Sequence, residues 1–261
     1  VGSDPRAALA DWLTEPGNPF FARAVVNRVW AEMLGKGFVN PVDDFRTSNP
    51  PSNGELLDAL AQDFSNSGFD LKHLMRRIAN SQLFALSSTP NASNIGDTRN
   101  FSRAYKRRLP AEVMTDAVAA ATGVPDAFQG MPPGARAIET WNFKISSDML
   151  DAFGRPDSSE DCPCERNLES SVVQALHMMN SGLLHSKITH KEGRATRLAT
   201  SDLSEQEIIE EIYLSTLGRR PSDEESALAI ALFSSPGASR QTAAEDILWA
   251  LINTAEFVFN H

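Results

Sequence analysis

Apolar residues recur three and four apart along most of the chain, the period of helices that bury one face. In FFARAVVNRVWAEML, the positions Phe21, Val25, Val29, Trp30 and Leu34 form one apolar face. Near the other end Ile247, Leu248, Leu251, Ile252, Ala255 and Phe259 do the same. Leu71, Leu74, Met75 and Ile78 mark the stripe of LKHLMRRIANSQLF. Val172, Val173, Ala175, Leu176, Met178 and Met179 mark that of a helix over about 169–184. The helices at the two ends carry the largest apolar stripes, so both Trp30 and Trp249 are expected in the core.

Start and stop signals bracket these stripes. Asp4-Pro5 and Asn18-Pro19 place a cap and an early proline before helices, and Gly35 stops the second. Ser52 with Glu55, Ser204 with Glu207 and Ser222 with Glu225 have capping-box spacing. Asp70 caps LKHLMRRIANSQLF, Leu109-Pro110-Ala111-Glu112 opens a helix that ends at Gly123, and Gly218 and Pro236-Gly237 stop two later helices. The pattern lapses over 87–100, a polar tract expected to be a mobile loop, and over the proline-rich 124–163. Trp141, Phe143 and Ile145 alternate with polar residues, which suits a short strand or a loop with buried aromatics. Long strands do not alternate with helices, so a parallel sheet is not expected. The reading is all-α: an irregular multi-helix bundle with long Pro-rich loops and little or no strand. It is taken as a single helical domain over 1–261, with 202–261 as a candidate C-terminal helical subdomain.

At 261 residues, 41% hydrophobic and 22% charged, the chain can bury a substantial core. Its net charge of −10 argues against nucleic acid as a main partner. The basic run Arg103, Lys106, Arg107 and Arg108 is read as a solvated or salt-bridged face. No apolar run is long enough to span a bilayer. The chain begins at Val1 and is read as a segment of a longer polypeptide.

Candidate chemistry gathers at one junction. Cys162 and Cys164 lie two residues apart, and His177 follows thirteen residues after Cys164 on an apolar helix. Three readings stand for the cysteines: a metal half-site shared with His177, a strained disulfide, or free thiols packed in a loop. His177 can equally be a hydrogen-bonded core residue, with His185 two turns along near the same face. The acidic neighbours Glu160, Asp161 and Glu165, opposed only by Arg166, disfavour a thiolate nucleophile. Asp43 and Asp44 beside Arg46 could be an acid pair, although adjacent acids more often make a turn or cap. His73 and His261 read as structural or terminal. Signatures for a nucleophile elbow, a P-loop, a zinc protease and covalent haem attachment are missing.

Several blocks together resemble a known family. NPFFARAVVNRVWAEMLGKGFV, PVDDFRTSNPPS, GFDLKHLMRRIANSQLF, RRLPAEVMTDAV, FGRPDSSEDCPCER, QALHMMNS, YLSTLGRRPSDEE and ILWALINTAEFVFNH occur in the order seen in the planctomycete domain of unknown function 1553. The resemblance implies a module at the C-terminal end of large exported proteins that also carry a cytochrome-c-like domain. It places Cys162, Cys164, Glu165 and Arg166 in a family block, and His177 and Asn180 in the next, without assigning them roles. Neither 87–100 nor 185–201 matches a family block, so no site is expected there.

The expectation that follows is an extracytoplasmic helical module that docks other domains of its parent chain, a haem domain among them. It would hold no cofactor of its own and no membrane span. Two alternatives remain: a hydrolase or redox enzyme on a carbohydrate-type substrate, and a metal-binding domain at Cys162, Cys164 and His177.

Overall fold

The computed structural model describes residues 4–15, 17–140, 145–155 and 178–260. They form two compact units, the first running to Lys106 and the second spanning Arg107–Asn260. Residues 202–260 of the candidate subdomain lie within the second unit, where their helices share a core with residues from 111 onward.

Among the described residues of the first unit the helices are α1 (Pro5–Thr14), α2 (Phe21–Leu34), α3 (Gly54–Asn66) and α4 (Leu71–Ala79). Asn18 Oδ1 accepts from the amides of Phe20 and Phe21, and Gly35 closes α2 at φ 84°, a left-handed position that glycine takes without strain. The cap of α3 is Asn53, whose Oδ1 accepts from Leu56 N, so the Ser52–Glu55 capping box does not form. The amide of Ser52 is instead used by Phe38 O. Asp70 caps α4 through Lys72 N and His73 N. The helix ends at Ala79, five residues short of the predicted Phe84, where Ser81 Oγ takes the carbonyl of Ile78.

The core between α2, α3 and α4 is rich in rings. Trp30, 3% exposed, packs on Phe38 at 4.2 Å and on Phe101 at 5.6 Å between centroids, and Phe101 meets Tyr105 at 5.4 Å. The tract 87–100, expected to be mobile, is closely hydrogen-bonded. Asp97 accepts from the amides of Arg99, Asn100 and Ser102 and from Ser102 Oγ, which together hold its carboxyl far below the usual range. Lys36 Nζ donates to Thr98 O, and Arg99 Nη2 donates to Pro50 O, which ties the tract at both residues to earlier parts of the unit.

The second unit is organised around α5 (Ala111–Thr122). It packs against α6 (Asp148–Ala152), α7 (Gly182–Ile188), α8 (Arg194–Ala199), α9 (Glu205–Leu217) and α11 (Arg240–Ile252). The helix α10 (Asp223–Phe233) lies against α9 and α11, and α12 (Ala255–Val258) follows. Two-residue strands, β1 (Arg107–Arg108) and β2 (Phe259–Asn260), pair antiparallel with Arg108 opposite Phe259. They are the strands among the described residues, and the fold is all-α.

Both Ser204–Glu207 and Ser222–Glu225 form the predicted capping boxes, and Gly218 ends α9 at φ 70°. The expected helix to Leu184 is interrupted. Residues 178–180 are helical, but Ser181 Oγ then accepts from Leu184 N and caps α7 as a new helix. The last stripe breaks likewise at Asn253, after which Thr254 caps α12. Ile247, Leu248, Leu251 and Ile252 are buried, yet Trp249 between them is 37% exposed. One helix face cannot hold 247, 248 and 251 inside and 249 with them. The basic run also departs from expectation. Arg108 is buried, its Nη2 donating to Phe153 O at 2.9 Å and its Nη1 to Leu109 O at 3.2 Å, with its guanidinium 5.5 Å from the Phe153 ring centroid. Burial lowers its pKa.

Candidate functional site

Cys162, Cys164, Glu165, Arg166 and His177 lie outside the described residues, as do positions 141–144 of the proposed strand. Asn180 is described: it is an exposed residue just before Ser181, the cap of α7. His185 is exposed on α7. His73 bonds Asp63 across α3 and α4, Nε2 to Oδ2 at 2.9 Å, the structural role its sequence context implies.

The acid pair of the first unit is held by arginines. Asp43 pairs with Arg28, and Asp44 Oδ2 with Arg46 at 2.7 Å. Its loop is set from within by Asn27, which is fully buried on α2. Asn27 Nδ2 donates to Val39 O at 2.9 Å and to Val42 O at 3.0 Å, while its Oδ1 accepts from Val39 N at 3.0 Å. Gly37 makes room for this clamp: a Cβ there would stand 2.4 Å from Val39 O and 2.8 Å from Asn27 Oδ1. Asp43 and Asp44 therefore sit at the rim of a braced turn, each carboxylate facing a guanidinium.

A cleft opens at the end of α5. Its volume is about 310 Å³, near the lower end of ligand pockets. Asp116, Ala119, Ala120 and Gly123 follow one another at helical spacing and form one wall. Their small side chains keep that wall low. Pro125, Asp126 and Phe128 make a second wall, and Gly134, Ala135 and Arg136 a third. Asp116 fixes the third wall, its Oδ1 accepting from Ala137 N at 2.6 Å and its Oδ2 from Ile138 N at 3.2 Å. Arg136 and Glu139 face each other at the rim, Nε to Oε1 3.6 Å.

Behind the cleft the C-terminal end of α5 is covered by cations, as the partial negative charge of that end favours. Arg194 donates to Ala121 O at 2.8 Å and to Ala120 O at 3.0 Å, with its pKa lowered by burial and then by Arg197. Lys187, its side chain 7% exposed, donates to Val124 O at 2.7 Å and stands 3.1 Å from Asp126 Oδ2. That approach is an ion pair without hydrogen-bond alignment, because Asp126 Oδ2 is buried and has no hydrogen-bond partner. Neither Asp126 nor Lys187 belongs to a recognisable motif. The available signal was indirect: a lysine at an otherwise apolar position of α7, between Leu184 and Ile188.

Among the described residues no group of three or more His, Cys, Asp or Glu side chains is placed to hold a metal ion. No helix among them is long and apolar enough to cross a membrane.

A family model described as a protein of unknown function, DUF1553, matches residues 5–233. The chain belongs to this family. The match takes in the aromatic unit, the α5 cleft and the helices through α10. No curated protein and no protein of solved structure matches the chain.

Proposed function

We propose that this DUF1553 chain is a non-catalytic helical interaction module of a larger extracytoplasmic protein. Its partners are the other domains of the parent chain, a haem domain among them. The observation that carries this reading is α1, which buries no side chain and leaves Leu9 54% and Trp12 49% exposed. A helix of ten residues is marginal in water without packing on an apolar face. A covering surface would supply that packing, and an exposed tryptophan is well suited to anchor it.

The test is fluorescence titration of the chain with the remaining domains of its parent, the Trp12 signal being the part of the change that Trp12→Phe removes. Quenching of Trp12 by a haem domain, weakened about tenfold or more by Leu9→Ala, supports docking through α1, since truncating an interface anchor commonly costs over 1 kcal/mol. No change at about 100 μM partner overturns it, that range being weak even for transient association.

A further inference from the structure

We propose that this chain associates with a second copy of itself, α4 of one copy lying antiparallel on α10 of the other. The proposal goes beyond the docking reading, which rests on α1. Each of the two helices buries one face and leaves the opposite face uncovered. On α4, Leu74 and Ile78 are buried in the aromatic core, while Leu71, Met75 and Ala79 are exposed along one edge at four-residue spacing. Lys72 and Arg76 border that edge, exposed and with no ion-pair partner among the described residues. On α10, Ala229 is buried, and Asp223, Glu224, Ala227, Leu228 and Ala231 share the outward face. Leu228, 74% exposed, is the most exposed large apolar side chain among the described residues. Asp223 and Glu224 also have no ion-pair partner among them.

The occupant of each face is read from the other. An apolar edge bordered by unpaired charge is best covered by a surface that is apolar and opposite in sign. The edge of α4 carries two cations beside Leu71 and Met75, and the face of α10 carries two carboxylates beside Leu228. An anionic lipid surface would answer α4 and leave α10 uncovered, whereas a second copy answers both. The positions of the charges set the direction. Arg76 lies in the last turn of α4, and Asp223 and Glu224 in the first turn of α10. Antiparallel helices bring these ends together, each charge at the helix end whose dipole favours it. From Arg76 back to Leu71 and from Glu224 on to Leu228 the helices advance about 6–8 Å, so Leu228 meets Leu71 and Met75 when Glu224 meets Arg76. Ala227 and Ala231 let the two axes come close. The contact is short, nine residues against eleven, so the association is weak.

The experiment is sedimentation equilibrium of the full chain from about 10 to 500 μM, with the variants Arg76→Glu and Glu224→Arg. The expected result is a weight-average mass that rises with concentration, at a Kd of about 100 μM. Each variant alone should weaken association about tenfold or more, because it sets like charges against each other across the contact. An equimolar mixture of the two should associate again, since Glu at 76 of one then meets Arg at 224 of the other. Both positions are exposed, so the variants should fold, and a folding defect could not produce recovery on mixing. Leu9→Ala should leave the Kd unchanged, which separates this contact from docking through α1. A chain that stays monomeric to about 500 μM overturns the proposal. So do association that neither charge reversal weakens, a mixture that does not recover, and loss of association in Leu9→Ala. Binding of a monomeric chain to phosphatidylglycerol vesicles, lost in Arg76→Glu, would assign the α4 face to a lipid surface and overturn it as well.

Discussion

The two units solve the packing problem with different side chains. The first carries 11 Lys and Arg against 11 Asp and Glu over residues 1–106, and its core is built on Trp30, Phe38, Phe64 and Phe101. The second carries 13 against 23 over 107–261, so the whole net charge of −10 resides there, and its core is chiefly aliphatic, with Ile208, Ile209, Ile212, Leu248 and Ile252 fully buried. The difference follows from the connections. Loops 35–53 and 80–106 contribute Phe38 and Phe101 to the first core, and an irregular segment that offers one side chain to a core gains most from a large ring. In the second unit successive helices lie against one another, so regular stripes of Ile and Leu interdigitate and the outward faces can be acidic.

The comparison can be broken most severely at Trp30. Trp30→Ala should cost about 3–5 kcal/mol, the range for deleting a large buried aromatic, in the transition of the first unit alone. Urea unfolding followed by probes placed in each unit checks this. A single shared transition would show that the two units unfold cooperatively.

Next is the loop clamp. Asn27→Ala removes three hydrogen bonds from a fully buried position and leaves Val39 N, Val39 O and Val42 O without that partner, a loss of about 2–3 kcal/mol in the first unit. Gly37→Ala should be comparably damaging, since its Cβ would overlap backbone at Val39. A loss below about 1 kcal/mol for both would show that the rings hold the loop unaided.

The second unit has a polar counterpart. Arg219 donates from Nη2 and Nη1 to Glu225 at 2.7 and 2.8 Å and from Nε and Nη2 to Glu256 at 2.6 and 2.8 Å, above the Tyr213 ring. The side-chain hydrogen bond from Arg219, and then the amide of Ser222, pull the Glu225 carboxyl down to about 2. A depressed folded-state pKa contributes stability above the unfolded value and loses it as pH falls through the folded one. Stability of the second unit should therefore decline from about pH 4.5 towards pH 2, spanning the ordinary and the lowered value. Arg219→Ala should flatten that decline and cost about 1–2 kcal/mol at pH 7, the partial exposure of all three side chains limiting the loss. Thermal melts at pH 7, 4 and 2.5 compare the two proteins. An unchanged acid slope would assign the loss to other carboxylates.

The smallest effect sharpens the contrast in tryptophans. Trp249→Ala, at a site 37% exposed, should cost about 1 kcal/mol or less. A loss equal to that of Trp30→Ala would mean that Trp249 is covered in solution.

Much of the helical frame was legible because it rests on local chemistry. Ser204 and Ser222 cap, Asp70 caps, Gly35, Gly123 and Gly218 terminate, and each does so through atoms within a few residues of itself. Local competition explains the misplaced cap of α3: Asn53 and Ser52 are adjacent and both suitable, and the amide of Ser52 is taken by distant Phe38. The candidate site was much less legible. The cysteine junction lies outside the described residues, whereas the cleft is walled by residues up to 20 apart that share no motif. Asp126 and Lys187 are separated by some sixty positions, and neither predicts the other.

By itself, then, the sequence determined the helices whose caps and stops are local, the apolar stripe of each, and the family, since these depend on neighbours along the chain. Only tertiary structure decided that Arg108 is buried and Trp249 is not, that Asn27 shapes the loop carrying Asp43 and Asp44, and that a cleft with a carboxylate wall opens beside α5. Those outcomes depend on which distant backbone carbonyl or side chain arrives at each position. Helical periodicity carries no record of that.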